Sequence, residues 1–318
     1  MRVVVTGGAG FIGSTLVDRL VGAGHTVHVV DNLSSGSRDN LATAAAVAGA
    51  RLVVHELDIR EARVTDLIAG IAPEVVFHLA AQIDVRVSVQ DPVLDAEINV
   101  LGSLRVIEGA RLGGARKVVF ASSGGTIYGE PDASMLPIDE RHPQRPVSPY
   151  GVAKKVVSDY LFAFNALHGL DFTSLALANV YGPRQDPHGE AGVVAIFCGR
   201  LLRRQECTIF GDGEQTRDFV FVGDVADAFV RAGARGVGSC LVINIGTGVE
   251  TSVNELYDAI AEAAGIDAPA NHGPARPGEL QRSALATVLA SEQLGWSPNT
   301  DLLTGAGATL EWFRARNG

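Results

Sequence analysis

Arg2-Val3-Val4-Val5-Thr6-Gly7-Gly8-Ala9-Gly10-Phe11-Ile12-Gly13 is the stretch that decides the fold. A short β-branched run reads as a buried strand, and the helical pattern of Phe11–Ala23 follows it at once. Glycines at 7, 10 and 13 let the chain turn tightly and bring backbone N–H groups up to a pyrophosphate. The phosphate then meets the positive end of the helix, and the last glycine permits close helix–sheet packing. The next strand, Thr26–Asp31, ends on an acid that can accept hydrogen bonds from an adenosine ribose and repel a 2′-phosphate. Asn32-Leu33-Ser34-Ser35-Gly36 places no arginine directly after it. The spacing predicts a dinucleotide, NAD rather than NADP, held by Gly7, Gly10, Phe11, Ile12, Gly13, Asp31, Asn32, Ser35 and Gly36. Asp58 and Ile59, after the third strand, are expected at the adenine, although Asp58 could equally cap its loop.

Working outward, strands are expected at Arg2–Thr6, Thr26–Asp31, Arg51–Leu57, Glu74–Leu79, Lys117–Ser122 and Phe172–Ala178. Helical segments at Phe11–Ala23, Asn40–Ala48, Arg63–Ala69, Pro92–Leu112 and Pro149–His168 alternate with them. Near-continuous apolar strands alternating with helices mean a parallel sheet covered on both faces. The expected class is therefore α/β, a Rossmann-type doubly wound sheet with a smaller C-terminal α/β domain. Residues 1–178 would form the first domain, with a return at about 214–246; 179–213 and 247–318 would form the second. A strand pair, Thr208–Phe210 with Asp218–Val222, is expected across Gly211-Asp212-Gly213, and late helices at Ser252–Ala264 and Leu302–Phe313.

Composition narrows the partners. Of 318 residues 47% are apolar, which excludes a disordered chain. Lys and Arg total 26 against 36 Asp and Glu, a net charge of −10, so neither nucleic acid nor an anionic membrane is an expected partner. No apolar run is long enough to span a bilayer. The odd set Cys198, Cys207 and Cys240 suits reduced thiols in a cytoplasm, and the eight histidines show no metal-ligand pairing. No metal is expected.

Tyr150 and Lys154 stand four residues apart, on one face of a helix. A phenol ionises at about pH 10, which is useless for a neutral-pH base, unless an ammonium and a positively charged nicotinamide favour the phenolate. Upstream lies Phe120-Ala121-Ser122-Ser123-Gly124-Gly125-Thr126-Ile127-Tyr128-Gly129, at the carboxyl end of a strand, where open α/β sheets bind ligands. Ser123 is the preferred substrate hydrogen-bonding hydroxyl, with Ser122 the other candidate.

Thr6-Gly-Gly-Ala-Gly-Phe-Ile-Gly13, His78-Leu-Ala-Ala81, Ser122–Gly129, Tyr150-xxx-Lys154, Asn179-Val-Tyr-Gly-Pro183 and Gly211-Asp-Gly…Arg217-Asp-Phe-Val together resemble the extended short-chain dehydrogenase/reductase superfamily. Within it the chain resembles the UDP-glucose 4-epimerase group, over essentially its whole length. The resemblance implies a general base at Tyr150 and an activator and nicotinamide-ribose ligand at Lys154. Counting back four from Tyr128, where many members carry Ser or Thr, this chain has Gly124, so Ser123 or Ser122 must serve. Leu79, Ala80, Ala81, Gln82, Asn99 and Ser122 join the implied cofactor set. Sister dehydratases and decarboxylases carry acids where this chain has Gly125-Thr126, which disfavours those reactions.

The implied reaction is inversion at carbon 4 of a UDP-hexose by transient oxidation, most simply UDP-glucose to UDP-galactose. UDP-glucuronate 4-epimerisation is the alternative, and a net oxidoreductase a more distant one. The resemblance assigns substrate contacts to Ser123, Gly124, Thr126, Tyr150, Asn179, Val193, Thr208, Phe210, Arg217, Arg276 and Glu279. A small Ser283 would leave room for a substituted hexose. It also implies a homodimer through the helices near Pro92–Leu112 and Pro149–His168.

Overall fold

The computed structural model describes residues 1–187, 192–275 and 280–317. Strands β1 (Arg2–Thr6), β2 (Thr26–Asp31), β3 (Leu52–Glu56), β4 (Val75–His78), β5 (Lys117–Ser123) and β6 (Asp171–Leu177) alternate with helices. The intervening helices are α1 (Phe11–Gly22), α2 (Ala42–Ala48), α3 (Arg63–Ile71), α4 (Val85–Gln90), α5 (Pro92–Ala96), α6 (Ser103–Leu112), α7 (Gly124–Ile127) and α8 (Pro149–His168). After β7 (Asn179–Tyr181), α9 (Val193–Leu202), β8 (Thr208–Phe210), β9 (Thr216–Arg217), β10 (Phe219–Phe221) and α10 (Val222–Ala232), the chain returns as β11 (Leu241–Ile245).

The main sheet has seven strands in the order β11-β6-β5-β4-β1-β2-β3, and every pairing in it is parallel. Side chains alternate across a strand, so Val3 and Val5 join one buried layer with Leu16, Val29 and Phe229. Val4 faces the opposite layer with Val30, Ile68, Val106 and Val157. Both faces are covered, as a parallel sheet requires. The strand order reverses between β1 and β4, and the carboxyl ends of the strands there form the crevice that receives ligands in such sheets.

Beyond the sheet, α9, α11 (Val253–Ala264) and α13 (Leu302–Asn317) enclose a separate core built on Tyr181, Phe197, Leu256, Ile260 and Leu310. The expected pairing of Thr208–Phe210 with the Asp218–Val222 segment does not form. β8 pairs instead with β13 (Asn271–Gly273), and β10 pairs with β7. The glycines of Gly211-Asp212-Gly213 make the turn but do not choose the partner strand. Helix α12 (Val288–Leu294) and Trp296 pack on the first core, with the Trp296 indole N–H donating to Asp224 O at 2.9 Å.

The expected helix Pro92–Leu112 is continuous but not uniform. Glu97–Gly102 winds as a π segment between α5 and α6. Such single-turn widenings occur chiefly at functional sites, and this one carries Asn99.

Candidate active site

The glycine-rich turn is held from several sides. Gly7 has φ +69°, and a Cβ there would sit 2.7 Å from Ala80 N. A Cβ on Gly13 would drive into Gly7 O and Gly8 Cα, well inside 3.0 Å. The Asp31 carboxylate is buried at the tip of β2 and accepts from Ala9 N–H at 2.9 Å and Leu33 N–H at 2.8 Å. Each of its oxygens keeps a lone pair free, so one residue shapes the turn and can still receive ribose hydroxyls. Gly36 packs against Ala9, whose carbonyl accepts from Ser37 N–H and the Asn40 amide. Phe11 and Ile12 are half-buried at the start of α1, and Ser35 is exposed nearby.

Asp58 is already well engaged. It binds Arg60 through two guanidinium nitrogens and a backbone N–H, and accepts from the Asn32 amide at 2.9 Å. The Arg60 hydrogen bond holds its carboxyl down to about 2. Ile59 is buried against Gly102 of the π segment.

Loop Leu79–Gln82, following β4, is fastened from beneath. Thr6 Oγ1 meets His78 Nδ1 at 2.7 Å, His78 Nε2 meets Ser103 Oγ at 2.8 Å, and Ser103 donates to Asn99 O. His78 is fully buried, and burial pushes its imidazole down to about 3, so it stays neutral. The Asn99 carboxamide clamps Gln82, accepting from its N–H at 2.9 Å and donating to its carbonyl at 2.9 Å. Its other N–H goes to Asp95 Oδ1 at 2.8 Å, leaving one Oδ1 lone pair for anything else.

Tyr150 and Lys154 lie in the first turns of α8, which Ser148 caps through Gly151 N–H with Pro149 following. The Ser88 hydroxyl accepts from Tyr150 N–H at 3.2 Å. Lys154 is buried, donates to Ala121 O at 2.9 Å and sits 5.6 Å from the Tyr150 ring centroid. Burial pushes the Tyr150 phenol up to about 12, although a hydrogen bond from Ser123 opposes the shift. Burial pulls the Lys154 ammonium down to about 8. Burial thus opposes both tyrosinate and ammonium in the chain alone, and an added positive charge would bring the phenol down.

The two serines at the end of β5 diverge. Ser123 reaches the Tyr150 phenol, whereas the Ser122 hydroxyl is buried with no hydrogen-bond partner among the described residues. A buried orphan hydroxyl beside a cradle of glycines fits a bound dinucleotide well.

Gly124 occupies the position where a hydroxyl side chain was wanted, and the reason for its absence is steric. A Cβ there would strike Leu285 Cδ1, which packs with Ile127, Tyr128 and Ile138. We expect Gly124→Ser to cost about 1–3 kcal/mol of stability by overpacking despite restoring the hydroxyl. Gly125→Ser, whose Cβ would meet only Asn179 Oδ1 at 4.0 Å, should melt closer to the wild type; thermal unfolding of both variants checks this.

On the substrate side, the Asn179 side chain faces Gly125, and the Asn179 backbone N–H donates to Asp218 O. Thr126 donates weakly to Ser123 O at 3.4 Å. Thr208 and Phe210 both lie on the side of β8 that Gly273 covers. Val193 begins α9, half-buried. Arg217 is half-buried and anchored on Thr216 O at 2.8 Å. Its neighbour Asp218 accepts from Thr247, Gly248 and Leu285 N–H groups, tying two loops to this strand. Ser283 is buried next to that junction. Arg276 and Glu279 lie outside the described residues.

Asp218, Leu285, Ser88 and Asp95 escaped the sequence reading. Only Asp95 left a usable signal, its i, i+4 spacing from Asn99.

A family model, NAD dependent epimerase/dehydratase family, matches residues 3–246. The UDP-glucose 4-epimerase of Mycolicibacterium smegmatis is 52% identical over 318 residues, covering 100% of both chains. The crystal structure of UDP-glucose 4-epimerase with UDP-glucose from Thermotoga maritima superposes with TM-score 0.94 at 44% identity, covering 100% of each chain. The Thermus thermophilus UDP-glucose 4-epimerase complex with NAD superposes with TM-score 0.88 at 42% identity, covering 99% of each. With a glycine cradle, an acid-tipped second strand and a Tyr–Lys pair in place, the chain belongs to the NAD dependent epimerase/dehydratase family, in the nucleotide-sugar epimerase group of the extended short-chain dehydrogenases/reductases, with NAD as its cofactor.

Proposed function

We propose that the chain is a 4-epimerase of UDP-hexoses, interconverting UDP-glucose and UDP-galactose. The observation that carries this reading is the Tyr150 phenol beside Ser123, with the Lys154 ammonium 5.6 Å from the phenol ring centroid and no acid in the adjacent Gly124-Gly125-Thr126 loop. Relatives named UDP-glucose 4-epimerase, matched over their full length, support it.

Tyr150 takes the proton from the hexose 4-hydroxyl and later returns it; Ser123 orients that hydroxyl, and Lys154 favours the phenolate. NAD, when bound, supplies the hydride acceptor and donor at carbon 4 together with a positive ring charge. Gly7, Gly10 and Gly13 with α1 would hold its pyrophosphate, Asp31 its ribose, and Ser122, Lys154 and loop Leu79–Gln82 its nicotinamide end. The UDP moiety is gripped while the sugar turns, so that carbon 4 presents its other face. Arginine suits the diphosphate because its planar fork donates in pairs, which assigns Arg217 and Arg276, with Asn179, to that task. Thr208 and Phe210 frame the uracil, with Val193 nearby, and Glu279 takes the uridine ribose. Gly124, Gly125 and Thr126 give the sugar room to turn.

In this reading, residues 1–178 with the return at about 214–246 bind NAD, and 179–213 with 247–318 bind the UDP-sugar, α12 joining the first unit. The assembly is a homodimer. Val93 and Leu101, eight residues apart, and Val152 and Tyr160, also eight apart, are exposed on the two helices concerned, an apolar surface suited to a helix-bundle interface. Among the described residues no helix is long and apolar enough to cross a membrane, and we place the enzyme in the cytoplasm.

Purified protein incubated without added NAD on a panel of UDP-hexoses and UDP-uronates tests the reading by chromatography of products. UDP-glucose and UDP-galactose should interconvert to one equilibrium mixture from either side. Inversion of UDP-glucuronate alone would move the assignment to the uronate, and no inversion of any member would overturn it.

A further inference from the structure

Asp95 is a buried carboxylate for which the chemistry above has no use. It lies on α5, which packs against α8, and is 1% exposed. Its hydrogen bonds come from two neutral amides, Asn99 Nδ2 at 2.8 Å and Gln82 Nε2 at 3.1 Å. Among the described residues no cation lies within ion-pair distance of it. Lys154 shows the complementary condition. The residue is 3% exposed, and its ammonium is bonded to one carbonyl and 4.9 Å from the Phe120 ring centroid, with no carboxylate in contact among the described residues. A lone buried charge is expensive, and the usual escape is to neutralise the group. Two opposite charges on packed helices relieve each other even without touching, because the medium between them screens poorly.

We propose that Asp95 is the buried counter-charge that keeps Lys154 protonated, making it a positioning residue for the tyrosine–lysine pair. The inference rests on the reading of Tyr150 and Lys154 as the reacting pair. Asp95 is itself held by Gln82 and Asn99, so the clamp that shapes the cofactor loop also fixes this charge. The two roles share one network through the π segment.

The direction of the effect follows from the charges. Lys154 lies 5.6 Å from the ring of Tyr150 one turn earlier, and the other titratable groups whose charge acts on it are Asp95 on α5 and His78 on β4, which is neutral. Those facing Asp95 are Tyr150 and Lys154; Gln82 and Asn99 are uncharged. Burial drives the ammonium toward its neutral form and Asp95 opposes it. The ammonium is present below its midpoint and lost as pH rises through it. Without the Asp95 charge that loss moves to lower pH.

Lysine occurs at only three positions, 117, 154 and 155, so the full-length protein labelled with [6-13C]lysine gives a spectrum simple enough to titrate. Lys155→Arg and Lys117→Arg assign the signals. In the wild type the Lys154 carbon should titrate near pH 8. In Asp95→Asn the midpoint should fall by about one pH unit, and in Asp95→Glu it should return most of the way. The alkaline limb of kcat should move in the same direction in Asp95→Asn. An unmoved Lys154 midpoint in Asp95→Asn, with the wild-type melting temperature, overturns the inference whatever the activity does. An unimpaired Tyr150→Phe would instead overturn the underlying reading while leaving the titration result standing.

Discussion

Tyr150→Phe should lower kcat by about 10³-fold, roughly 4 kcal/mol of transition-state stabilisation, while UDP binding stays within about twofold. The substitution removes one oxygen and leaves the ring packing near Lys154 intact. The other side chains of the Ser123 loop offer no replacement: Thr126 is an alcohol, Gly124 and Gly125 have no side chain, and His78 is buried beneath the loop with both nitrogens engaged. A residual rate near wild type would mean that another group moves the proton. Titration calorimetry with UDP separates lost chemistry from lost binding, because the nucleotide contacts assigned above do not involve the phenol.

Gly13→Ala should weaken NAD retention by at least about 100-fold, near 2.7 kcal/mol. The added methyl meets only backbone, the Gly7 carbonyl and Gly8 Cα, so no side-chain rotation relieves it. The turn must open, and it is the same turn that Asp31 fastens through Ala9. Dinucleotide released on denaturing the purified variant, quantified by absorbance and compared with wild type, checks the effect. Gly22→Ala is the control: it lies on the same helix, and an added Cβ meets nothing within 4 Å. Equal dinucleotide content in all three proteins would separate the cradle from cofactor binding.

The parts of the fold that were legible in the sequence are those encoded locally. A β-branched run, three spaced glycines and an acid at the end of the next strand lie within 30 consecutive residues or so, and each follows from backbone needs that few other residues meet. What resisted was non-local. Gly211-Asp212-Gly213 announces a turn, but β8 finds its partner in β13, some 60 residues later, where Ile209 joins the core of the second unit. The π segment hides inside good helical composition, and the bonds of its Asn99 carboxamide to Gln82 appear only in the folded chain. The gap at Gly124 is intelligible only with Leu285 in view, and Asp95 is one acid among many in the sequence until the fold buries it beside the amides of Gln82 and Asn99. Site residues read from short motifs fared differently. Tyr150, Lys154, Ser122 and Ser123 converge on one end of the sheet, whereas Asn99 and Asp58 are largely occupied by intramolecular bonds.

Transient oxidation at carbon 4 with no net redox change is the heart of the account, and the fate of the hydrogen on that carbon tests it most directly. UDP-[4-2H]glucose incubated with the protein in ordinary water should give UDP-galactose carrying the full complement of deuterium at carbon 4, with no reduced cofactor accumulating. Loss of the deuterium to solvent, or product that forms only with stoichiometric consumption of added cofactor, would contradict it.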